Sequence, residues 1–113
     1  MAMKRVILEM GAGNDLHGGD YTKAAIRAVQ DALHHSSLTM IRTLSVDKSK
    51  MFVDVTIGVQ QPDKIDANAV KETLPVGVVT VNPVKGGLDV PDAATGDTMV
   101  IASAAIAVRL DLP

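Results

Sequence analysis

The sequence predicts an α+β fold, with two helices on one face of a mixed or antiparallel sheet in the order β-α-β-β-α-β-β. Three observations lead there. Met51, Val53, Val55, Ile57 and Val59 alternate with Phe52, Asp54, Thr56, Gly58 and Gln60, the period of a strand with one buried face. Residues 21–35 repeat instead at helical spacing, with Tyr21, Ala25, Ala28, Val29 and Ala32 on one side and Lys23, Arg27, Gln30, Asp31 and His34 on the other. The chain has 113 residues, 47% of them hydrophobic, and no linker-like stretch, which fits a single domain over residues 1–113 with its own core.

The apolar run Val6-Ile7-Leu8 predicts a first strand over residues 4–10. Asp20 is the natural N-cap of the first helix, and Ala24, Ala28 and Ala32, recurring every fourth position, let that helix lie close on a sheet. Residues 38–46 form a weaker strand, in which Thr39, Ile41 and Thr43 alternate with Met40, Arg42 and Leu44. A short helix over residues 67–74 has Asp66 as its cap, Ile65 and Val70 as a hydrophobic staple, and Pro75 as its stop. Residues 77–84 read as strand, Lys85-Gly86-Gly87 as a turn or bulge, residues 88–90 as a short continuation, and residues 91–96 as a loop. The last strand, 98–110, is almost continuously small and apolar from Ile101 to Ala107. That pattern implies burial on both faces, centrally in the sheet or under a second subunit, so a homo-oligomer is expected.

Composition excludes several functions. The formal charge is -2, no basic run is interleaved with aromatics, and Phe52 and Tyr21 are the only aromatic residues, all of which disfavours a nucleic-acid surface. The chain has no cysteine, which removes disulfides, thiolate catalysis and cysteine-based zinc sites. The basic start Met1-Ala2-Met3-Lys4-Arg5 leads into an apolar run broken by Glu9 and Gly11, a first strand rather than a secretory signal. The apolar stretch near the C-terminus is shorter than the roughly 20 residues that cross a bilayer as a helix. A soluble, cytoplasmic protein with no membrane partner is expected.

The chemistry concentrates in Gly11-Ala12-Gly13-Asn14-Asp15-Leu16-His17-Gly18-Gly19, between the first strand and the first helix. A dinucleotide fingerprint would need glycine where Leu16 stands. Two readings remain: an anion nest of backbone N–H groups beside a helix N-terminus, or a structural turn in which Asp15 accepts local backbone N–H groups. Asp15 and His17 also form a candidate catalytic pair, His17 transferring a proton or ligating and Asp15 orienting it. Gly11, Gly13 and Gly18 are candidate ligand-binding positions, with Lys85 a candidate cation. No metal or cofactor is specified: His34 and His35 lie about 20 Å away by helix rise, too far to join His17 within one subunit, and suit a helix C-terminus. Ser36, Ser37 and Ser103 could pair with Lys85 as acyl nucleophiles, but no spacing demonstrates a dyad, and Ser103 reads as a small buried strand residue. Asp89, Asp92 and Asp97 read as solvated turn residues.

Gly11, Gly13, Asp15, His17 and Gly18 together spell Gly-x-Gly-x-Asp-x-His-Gly, and here the chain resembles a small family of conserved hypothetical proteins defined by that pattern. The likeness continues through Thr22-Lys23-Ala24-Ala25 and Arg27-Ala28-Val29. It implies that the five residues matter and names no substrate, cofactor or reaction. Where similar sequences carry asparagine before the serine that follows the first helix, this chain has Ser36 beside Ser37. The fold order also resembles ring-opening cyclic-amide hydrolases and the trimeric chorismate-mutase-like or imine-deaminase-like domains, whose sites lie between subunits or pseudo-subunits. The aromatic and charged constellation of a chorismate mutase is missing. The expectation is therefore a small polar or anionic ligand, and hydrolysis of a small polar amide or cyclic amide. The alternative is a non-catalytic anion- or metabolite-binding oligomer.

Overall fold

The strands and α-helices of the described residues are β1 (Ala2–Asp15), α1 (Tyr21–His34), β2 (Met51–Val59), α2 (Ala67–Glu72), β3 (Val78–Lys85), β4 (Leu88–Pro91) and β5 (Thr98–Leu112), with single 3-10 turns at Lys48–Lys50 and Pro62–Lys64. They are seen in a computed structural model that describes residues 2–34, 48–74 and 77–112. The strand expected over residues 38–46 lies outside the described residues. The sheet runs β1-β5-β2-β3, and β4 pairs with the beginning of β5. Since β5 is antiparallel to both β1 and β2 while β3 is parallel to β2, the sheet is mixed, and β1, β2 and β3 all point the same way.

Alternation decides which face is covered. Met51, Val53, Val55, Ile57 and Val59 turn inward from β2, as do Val100, Ala102, Ala104, Ile106, Val108 and Leu110 from β5, and all are buried. Tyr21, Ala24, Ala25, Ala28, Val29 and Ala32 of α1 and Val70 of α2 complete this core on the same side. Among the described residues no helix packs on the opposite face, and they cover β5 on one face only. Ser103, expected to be buried, is exposed on that open face.

The first strand is longer than its apolar run implies. It continues past residue 10 through Gly11 and Gly13 to Asp15, paired with Ala104, Ala102 and Val100 of β5, with a register shift between Arg5 and Ile7. Close packing explains the two glycines. A Cβ on Gly11 would stand 2.4 Å from the backbone nitrogen of Ala32, and one on Gly13 would stand 2.3 Å from that of Ala28. The alanine stripe of α1 thus rests directly on the strand backbone. The outer edge of β1 is also capped near its C-terminal end, since Asp31 Oδ2 accepts from Ala12 N (3.0 Å) and Arg27 Nη1 donates to the Asn14 carbonyl (2.7 Å). Side chains from α1 therefore occupy backbone groups that another strand would otherwise seek.

Both expected caps are in place: Asp20 Oδ1 accepts from Lys23 N at 3.0 Å, and Asp66 Oδ1 from Ala69 N at 3.2 Å. Each satisfies a backbone donor that the first helical turn leaves unpaired. His34 ends α1, where an imidazole suits the exposed carbonyls. Among the described residues, no helix is long and apolar enough to cross a membrane.

Candidate functional site

The parallel direction of β1, β2 and β3 brings their carboxyl ends to the end of the sheet where α1 begins. In open parallel α/β sheets ligands bind outside the carboxyl ends of the strands, where helix N-termini converge, and the corresponding end of this mixed sheet is where α1 starts. A cleft of about 330 Å³ opens at this end. Its walls are Gly18, Gly19 and Tyr21 before and at the start of α1, Gln61 and Lys64 after β2, Asp89 of β4, and the Gly96–Asp97–Thr98 approach to β5.

Three side chains are wired together in the cleft. The Tyr21 hydroxyl donates to Asp89 Oδ2 at 2.5 Å and accepts from Gln61 Nε2 at 3.0 Å. Asp89 reaches the helix-covered side because its neighbours Leu88 and Val90 alternate to the open face. Its hydrogen bond and burial hold the Tyr21 phenol above its ordinary pKa, so Tyr21 stays neutral and donates. The second carboxylate oxygen, Asp89 Oδ1, is buried and has no hydrogen-bond partner among the described residues. A buried acceptor in that condition costs free energy until a donor meets it.

His17 stands beside the cleft on the β1–α1 connection, its side chain 82% exposed, with Nδ1 3.3 Å from Asp97 Oδ2. An ionised carboxylate can only accept, so the contact is a hydrogen bond in the tautomer that carries its proton on Nδ1, which turns the Nε2 lone pair outward. The carboxylate that meets His17 is thus Asp97, not the expected Asp15. Asp15 turns under the connection, is 4% exposed, and accepts from Asp20 N at 2.9 Å. Lys23 Nζ and Arg27 Nη1 stand 4.0 and 3.7 Å from its other oxygen. The structural-turn reading of Asp15 matches this geometry.

The other sequence candidates separate. Gly18 lines the cleft with φ of 91°, a left-handed conformation that suits glycine. Gly11 and Gly13 lie within β1 against α1, so they form the helix's bed and not the cleft wall. Lys85 is exposed at the end of β3, three strand spacings or about 14 Å across the sheet from β1, and is not part of the cleft wall. Tyr21, Gln61, Lys64, Asp89 and Asp97 are the cleft residues that local spacing does not single out. The sequence signal for Asp89 is a carboxylate alternating with Leu88 and Val90 on a strand, with its side chain on the inward side. Among the described residues, no three His, Asp or Glu side chains converge as a metal site.

The chain belongs to the Lin0512 family of conserved hypothetical proteins, whose pattern matches residues 5–108. A crystal structure from Nostoc punctiforme, described as an FtsZ-like protein of unknown function, is 33% identical to the chain. The two superpose with a TM-score of 0.85, and the match covers 99% of each. No curated protein matches the chain.

Proposed function

We propose that the cleft binds a small polar molecule carrying an amide-like group and hydrolyses it with water. The observation that carries this reading is Asp89 Oδ1, a buried acceptor without a donor in a polar cleft. A ligand N–H answers it. Lys64 and the backbone at Gly18 and Gly19 offer positive charge and N–H groups for the carbonyl or anionic end of the same ligand. A cyclic amide or imide presents N–H and C=O side by side, which matches that pairing of acceptor and donors. The likeness in fold order to ring-opening cyclic-amide hydrolases points the same way, as analogy.

In this mechanism His17 Nε2 takes a proton from water while Asp97 holds the ring by Nδ1. The water oxygen bonds to the amide carbon, and Lys64 stabilises the oxyanion. The C–N bond then breaks as the imidazolium returns its proton to the departing nitrogen. The exposure of His17 favours a second reading, a binding protein that uses the same cleft without turnover.

One screen separates the two. Tyr21 is the only tyrosine and the chain has no tryptophan, so intrinsic fluorescence reports the cleft alone. A panel of small amides, lactams and cyclic imides is titrated against that signal, and each binder is followed by NMR for ring opening or amine release. Binding lost in Asp89→Asn, with turnover reduced about 10²–10⁴-fold in His17→Ala while binding persists, supports the hydrolase. Binding without turnover in the natural chain supports the second reading, and a panel with no binder rejects both.

A further inference from the structure

The face of the sheet on which no helix packs among the described residues is a large feature that the cleft does not use. Exposed and half-buried apolar side chains are spread over it: Leu8 and Met10 of β1, Ile101 and Ala105 of β5, Leu88 and Val90 of β4, and Val78 and Val84 of β3, with Thr56 and Ser103 among them. Met10 is 68% exposed and Leu88 59%. Polar groups stand beside the apolar side chains. At one end Arg109 Nε donates to Asp54 Oδ2 at 2.6 Å and its guanidinium lies 5.9 Å from the Phe52 ring centre, while β3 borders the face with Thr80 and Asn82. Exposed apolar side chains interspersed with polar groups are the composition of a protein interface. Solitary domains rarely leave such a patch larger than a few hundred Å².

The relief of the face indicates what fits it. Gly58, Ser103 and Ala105 are small and leave a groove of about 470 Å³, and Met10 stands on the groove's wall. A projecting side chain beside a hole of matching character is what a self-complementary contact needs, because a two-fold axis lying between two such faces sends each Met10 into the other's groove. Four strands at about 4.8 Å, over roughly ten residues at about 3.3 Å, give roughly 600 Å² of projected face. With side-chain relief this approaches the roughly 800 Å² per partner of a standard stable interface. We infer that the protein is a two-fold dimer joined through this face, its occupant a second copy of the same chain.

Sedimentation velocity at micromolar concentration tests the inference on the natural chain, Met10→Asp, Ser103→Arg, and Lys71→Glu on the exposed side of α2. The natural chain and Lys71→Glu sediment as dimers, while Met10→Asp and Ser103→Arg weaken self-association by about 30-fold or more, the scale of a lost interface anchor. Circular dichroism confirms that each variant is folded. Met10→Ala, which removes the projecting side chain without adding charge, weakens the dimer as well. A monomeric natural chain, a trimer, or a dimer that survives both Met10→Asp and Ser103→Arg overturns the inference.

Discussion

The Tyr21 hydroxyl and the Asp89 carboxylate, 68 residues apart in sequence, meet at 2.5 Å and tie the first turn of α1 to β4. The bond requires the neutral phenol, and with burial it raises the Tyr21 pKa above its ordinary value of 10.0. A group whose folded-state pKa is raised contributes stability that is complete below its unfolded value and is lost as pH climbs through the folded one. The Tyr21 contribution is therefore intact below about pH 10 and disappears above it. Tyrosinate absorbance measures this directly, since the chain holds one tyrosine. The midpoint lies above 10 in the natural chain and falls back toward 10 in Asp89→Asn; a natural midpoint at or below 10 would contradict the hydrogen bond.

Gly13 faces backbone, not side chain, so a methyl group there has nowhere to go. Its Cβ would lie 2.3 Å from Ala28 N and 2.5 Å from the Ala24 carbonyl. Gly13→Ala must lift α1 from β1, and overpacking of this kind costs about 1–3 kcal/mol or more. Asn14→Ala, next to it and exposed, stays within about 0.5 kcal/mol. Chemical denaturation of both variants checks the contrast, and equal stability would place the helix elsewhere.

What the sequence revealed and what it withheld follow from the range of the interactions involved. The caps Asp20 and Asp66, the alternation of β2 and the amphipathic face of α1 are local, so neighbouring residues suffice to read them. Gly11 and Gly13 announce that something comes close to the backbone, but glycine does not name the visitor. The visitor is the Ala24-Ala28-Ala32 stripe, legible in the same sequence though not linked to the glycines by any spacing. The cleft is different in kind. His17 meets Asp97 across 80 residues of chain and Gln61 reaches Tyr21 across 40, distances over which only topology decides contact.

Ile57 tests the burial pattern that alternation predicts. It is fully buried on the helix side of β2, between Val55 and Val59. Ile57→Ala costs about 2–5 kcal/mol, the range for emptying a packed core position. Thr80→Ala, exposed on the neighbouring β3, changes stability by less than about 0.5 kcal/mol. Thermal unfolding of the pair distinguishes the two faces, and a loss at Ile57 below detection would refute its place in the core.

Two carboxylates of one neighbourhood have different work to do, and substitution separates them. Asp15 is buried and receives the Asp20 N–H, so Asp15→Ala strands that donor at the start of α1 and costs about 1–3 kcal/mol. Asp97 instead holds His17 from a more exposed position, its side chain 44% accessible. Asp97→Ala therefore leaves stability within about 0.5 kcal/mol but removes the acceptor that favours a proton on Nδ1. Nitrogen NMR of the His17 ring reads that preference as a shift in the balance of the two neutral tautomers. The balance moves in Asp97→Ala and holds in Asp15→Asn, whereas a ring that responds only to Asp15→Asn would return the orienting role to Asp15.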